Sequence, residues 1–64
     1  MNKDELMFKI LDLKNQIRLY EFKYEEAVKV NDDFGTGFYK NVIIFKNRDL
    51  NTLIKNLIHV DSSY

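Results

Sequence analysis

Leu6, Ile10, Leu13, Ile17, Tyr20, Tyr24 and Ala27 recur at alternating steps of four and three residues. That spacing draws a single apolar seam along a helix and fits no strand, whose period is two. A second seam, Tyr39, Ile43, Leu50, Leu53, Leu57 and Val60, obeys the same rule, with Lys46 as its one polar break. Two matched seams joined by a polar segment predict an all-α fold, an antiparallel two-helix hairpin of coiled-coil type. The expected boundaries are a helix over about 3–30, a turn over 31–37 and a second helix over about 38–60, all in one domain covering 1–64.

The seams alone leave apolar residues unused. On the first helix Phe8, Leu11, Leu19 and Phe22 lie well away from the seam, Phe8 and Phe22 nearly opposite it. On the second, Ile44, Phe45 and Ile58 also point away. A helix that is apolar on two sides normally has neighbours on both. These seven residues are therefore the expected partner or dimer interface. A homodimer forming a four-helix bundle would use them as core. A substitution such as Phe22→Glu is expected to disrupt assembly, whereas Asn15→Glu is not.

Size points the same way. Chains below about 70–80 residues rarely bury enough apolar surface to be robust alone, and this one has 64 residues and no cysteine to form disulfides or thiolate metal sites. His59 is the only histidine and has no second ligand at metal-binding spacing. No metal or other cofactor is expected.

Ten basic and ten acidic side chains cancel, six of each over residues 1–30 and four of each beyond. Without a basic stripe to neutralise phosphates, no nucleic-acid partner is expected. The longest apolar run, Val42–Phe45, falls far short of the roughly 20 residues a membrane span needs. Asp4 and Glu5 occupy the place of a signal peptide's basic flank. The expectation is a cytoplasmic protein without a membrane partner. Lysine, asparagine and isoleucine are abundant and lysine outnumbers arginine, a composition associated with AT-rich genomes such as those of low-GC bacteria and their phages.

Asn31-Asp32-Asp33-Phe34-Gly35-Thr36-Gly37 is the one turn-rich stretch. Gly35 suits a left-handed residue after the first helix, and Thr36 a cap for the next. The stretch lacks the Lys-Ser/Thr pair of a phosphate-binding loop and the alternating acids of a calcium loop. The β-branched and aromatic run Val42-Ile43-Ile44-Phe45 supports an alternative, a strand over Phe38–Phe45 paired across the turn with Val28 and Val30 in a small α-β-β-α fold.

Nothing here forms a catalytic constellation. Ser62 and Ser63 lie at the end of the chain, and the acidic pairs Glu25/Glu26 and Asp32/Asp33 read as solvated charge. His59 reads as a residue that stabilises a helix C-terminus. The expected function is therefore non-enzymatic: a small protein-binding module that regulates or inhibits another, unidentified protein, possible targets being a host enzyme or defence complex if the chain is phage-encoded. A purely structural oligomerisation segment is the blander alternative.

One segment points elsewhere. Asn47-Arg48-Asp49-Leu50-Asn51-Thr52-Leu53-Ile54 resembles the Ser-Gln-Glu-Leu-Asp-x-Leu-Ile motif of the small aspartyl-phosphate phosphatases that regulate sporulation. These are also helical hairpins and act on a phosphorylated response regulator. The resemblance covers eight residues. It keeps Leu50, Leu53, Ile54 and an acid at Asp49, but has Asn51 where the family has its functionally central aspartate. It implies a regulator acting on a response regulator, through Asp49 if it retains activity.

Overall fold

The computed structural model describes residues 2–62, with side chains as far as Val60. It contains α1, Lys3–Lys29, and α2, Asp33–Ser62, packed side by side along their lengths. The result is a rod of 50 × 15 × 13 Å. Its radius of gyration is 14.8 Å, against about 11 Å for a globular chain of this length.

Both seams face inward as expected. Leu6, Ile10, Ile17 and Ala27 are buried, and Leu13, Tyr20 and Tyr24 are half-buried. Tyr39, Ile43, Leu50, Leu53, Leu57 and Val60 are half-buried opposite them. Tyr20 and Tyr39 meet across the hairpin with ring centroids 6.1 Å apart.

Lys46, the break in the second seam, is held between the helices. Its Nζ donates to Gln16 Oε1 at 2.6 Å and lies 5.5 Å from the centre of the Tyr20 ring. Gln16 Nε2 in turn donates to Asp12 Oδ2 at 2.8 Å. The amide thus links a cation on α2 to an anion on α1. An uncompensated charge in an apolar seam would be costly, and this chain of bonds removes the cost.

At the start of α1, Asn2 is the cap. Its Oδ1 accepts from the Glu5 backbone N–H at 2.8 Å, and Glu5 Oε1 accepts from Asn2 Nδ2 at 3.4 Å. At the far end Lys29 pairs with Glu26 at 3.5 Å, one residue along from the Glu25 partner that i,i+4 spacing favours.

The turn is shorter than the sequence suggests. The expected turn over 31–37 shrinks to Val30–Asp32, and α2 begins at Asp33 rather than near 38. Asn31, not Gly35, is the left-handed residue, with φ 57°. Its N–H donates to Val28 O at 3.2 Å and that of Asp32 to Ala27 O at 2.9 Å, the paired bonds of a Schellman motif. Asp32 then caps α2 in place of Thr36, its Oδ1 accepting from Gly35 N–H at 3.0 Å and its backbone carbonyl from Thr36 N–H at 2.9 Å. One residue thereby ends one helix and starts the next.

Gly35 and Gly37 both have helical backbones. A β-carbon on Gly35 would collide with the Asp32 carboxylate, whereas one on Gly37 would meet open space.

The α-β-β-α alternative is excluded, since residues 33–62 are helical and no strand occurs among the described residues. β-branched residues cost a helix only a few tenths of a kcal/mol each. Helical geometry in return turns Tyr39, Val42, Ile43, Lys46 and Leu50 all toward α1, which a strand with its period of two could not do. No helix of the described residues is long and apolar enough to cross a membrane.

Candidate functional site

Among the described residues the hairpin buries four large or small apolar side chains and leaves twelve large ones exposed. All seven residues expected to form an interface are in the exposed group, from Ile44 at 43% to Phe8 at 74%. A soluble monomer scatters exposed apolar residues singly, whereas contiguous apolar surface marks an interaction site.

The seven do not form one surface. At about 100° per residue, Phe8, Leu11, Leu19 and Phe22 line the back of α1, directly away from α2. Asn15 stands at the middle of that stripe rather than beside it, so Asn15→Glu is not the neutral substitution that the sequence suggests. Phe45 belongs to a flank of α2 that also carries Phe34, which the sequence reading placed in the turn, and Phe38, which it placed at the start of the second helix without assigning it to an interface. The rings of Phe34 and Phe38 stack at 6.5 Å, and Phe38 meets the edge of Tyr39 at 5.4 Å. Phe34 is 84% exposed. The signal was present in the spacing 34, 38, 45, but it becomes visible only once the helix is known to start at Asp33. Ile44 and Ile58 project toward the other flank of α2.

The end of the rod away from the turn carries a shallow depression of about 450 Å³, lined by Met7, Phe8, Ile10, Leu11 and Leu57, with Asp4 and Lys14 at its rim. Its lining is almost wholly apolar, so it suits another apolar side chain rather than a polar substrate.

The segment resembling the phosphatase motif lies mid-way along α2. Leu50 and Leu53 are half-buried seam residues and Ile54 is half-buried beside the seam, so packing against α1 explains the apolar part of the likeness. Asp49 is exposed and borders a second depression with Lys9, Asp12 and Thr52. Thr52 Oγ1 donates to the Arg48 carbonyl at 3.1 Å, and Asn47 Nδ2 to that of Ile43 at 3.0 Å. Asn51 lies on the opposite flank of α2 from Asp49, about 160° around the helix. The two polar residues of the motif therefore do not converge on one point. No cluster of three or more His, Cys, Asp or Glu capable of holding a metal occurs among the described residues.

Comparison with known proteins found no matching family model, no matching curated protein and no matching solved structure.

Proposed function

We propose that this hairpin is a non-enzymatic protein-binding module that regulates or inhibits another protein, and that it self-associates into a four-helix assembly. The supporting observation is the ratio of exposed to buried apolar side chains, twelve to four. The stripe on the back of α1 and the Phe34–Phe38–Phe45 flank of α2 are separate surfaces, so one can hold a second copy while the other engages a target. Aromatic residues on such flanks supply large contact area with little loss of side-chain freedom. The AT-rich composition fits a regulator of a low-GC bacterium or a phage inhibitor of its host.

Affinity purification of the tagged protein from its native host, followed by mass spectrometry, tests the reading. A captured protein that is lost on Phe45→Glu but retained on Lys55→Glu supports it. Recovery of the tagged chain alone would instead make it a structural segment. The enzymatic alternative is separated by incubation with a phosphorylated response regulator. Phosphate release that disappears on Asp49→Ala would overturn the non-enzymatic reading.

A further inference from the structure

The stripe on the back of α1 is a palindrome. Reading outward from Asn15, leucine stands four residues away on each side (Leu11, Leu19) and phenylalanine seven away on each side (Phe8, Phe22). At about 100° per residue all four project within about 40° of Asn15. The structure leaves each of them more than half exposed.

We infer that this stripe is the contact between two copies of the chain, with α1 antiparallel to α1 of the partner and a twofold axis passing by Asn15. This rests on the reading that the apolar outer surface serves association, and it adds the occupant, the orientation and the register. In such a dimer each residue faces the one equally far beyond Asn15. Phe8 of one copy therefore meets Phe22 of the other, Leu11 meets Leu19, and Asn15 meets its own equivalent. A parallel dimer requires no internal symmetry of the sequence, because every residue then faces itself. The antiparallel one sets each residue against its mirror about the axis, and at the four stripe positions that mirror is an identical apolar side chain.

Asn15 fits the twofold axis chemically. A carboxamide carries both an acceptor oxygen and N–H donors, so two related by a twofold axis can donate to each other. A lone asparagine in an apolar helical seam weakens the contact while fixing its register and partner number.

Charge also distinguishes the orientations. Asp12 and Arg18 stand three residues either side of Asn15, about 60° around the helix at the edges of the stripe. In the antiparallel dimer Asp12 lies level with Arg18 of the other copy, whereas in the parallel one each lies level with its own kind. The outer acids, Asp4 and Glu26, lie level with acids in either arrangement and do not discriminate.

The contact is large enough to hold. Side chains of about 200 Å² each, exposed by 53–74%, give roughly 900–1,000 Å² of apolar burial from the four positions in both copies. Asn15, Met7 and the stems of Arg18 and Glu26 bring the interface to the lower bound of about 1,200 Å² for stable pairs.

Sedimentation equilibrium of the full chain combined with a spin-label distance tests the inference. The expected mass is twice 7.7 kDa. The chain has no cysteine, so Lys29→Cys carries a single label per copy. The antiparallel dimer separates the labelled positions by about 42 Å along the axis, 28 residues at 1.5 Å each. A separation of about 10–15 Å, near the interaxial spacing of packed helices, would mean a parallel pair and overturn the proposal. A monomer mass even at high-micromolar protein would also overturn it, while leaving target capture through Phe45 unaffected. Asn15→Lys places two like charges on the axis and should weaken the dimer on the order of 100-fold. Asn15 is exposed, so helicity should be retained, and an unchanged dimer would refute the placement of the axis.

Discussion

Replacing Asp32 and Gly35 singly and together isolates what sets the start of α2. Asp32→Ala removes the bond from Gly35 N–H to Oδ1. Loss of an N-cap costs about 0.5–2 kcal/mol, and Gly35 is buried, so water replaces the bond poorly and the cost falls in the upper half of that range. Gly35→Ala acts on the same bond from the other side, because its β-carbon collides with the Asp32 carboxylate, whose atoms are the three nearest to it. The carboxylate must swing away and give up the cap. The gain from exchanging glycine for alanine in a helix, about 0.5–1 kcal/mol, offsets part of that loss. Gly35→Ala should therefore destabilise the parent protein by about 0.3–1.5 kcal/mol. With Asp32→Ala already present there is no cap left to lose, and the same change should stabilise by about 0.5–1 kcal/mol. The coupling between the two sites is then about 1–2 kcal/mol.

Urea unfolding followed by circular dichroism at 222 nm measures all four corners of this cycle, at one fixed protein concentration because association shifts apparent stability. Gly37→Ala is the internal control. Its β-carbon meets open space, so it should stabilise by about 0.5–1 kcal/mol in every background. If Gly35→Ala were equally costly with and without Asp32, the carboxylate would not be what demands glycine there, and the account of the turn would fail.

Two further substitutions test the turn and the core by the same unfolding measurement. Asn31→Ala should cost about 1 kcal/mol, since alanine resists the left-handed backbone at φ 57°, while Asn31→Gly should be neutral or slightly stabilising; equal effects would refute the Schellman assignment. Ile17→Ala, at a buried position near the middle of the rod, should cost about 2–4 kcal/mol, whereas Leu19→Ala should change monomer stability by less than about 1 kcal/mol. At dimer-forming concentrations Leu19→Ala should instead lower the apparent stability, because binding energy then adds to folding energy.

Residue by residue, the legible part of this protein is the part governed by periodicity. Every member of both seams faces the partner helix, and all seven residues set apart from the seams are exposed. A 3.6-residue period fixes which side of a helix a residue occupies, whatever the neighbouring helix does. The stripe on the back of α1 was therefore readable as a surface. Its grouping was not: Phe8, Leu11, Leu19 and Phe22 form one face, while Ile44, Phe45 and Ile58 fall on the flanks of α2. Phe34 and Phe38 join Phe45 on one of those flanks, and Phe34 was hidden because glycines at 35 and 37 disguised a helical segment as a loop.

The sequence by itself thus determined that there are two helices, where their inner faces lie, and that apolar surface remains after they pack. These follow from spacing within each helix, which depends on local geometry alone. Only the tertiary structure decided where the chain reverses, which residue takes the left-handed conformation and how Lys46 is tolerated in an apolar seam. Each of those depends on groups brought together across the turn or across the interface. Asp32 stops α1 and starts α2 because the carbonyl of Ala27 and the N–H of Gly35 both come within its reach. Lys46 is accommodated because Gln16, thirty residues earlier, presents its amide oxygen opposite it. A one-dimensional pattern records the composition of such arrangements but not the distances that make one of them the lowest in free energy.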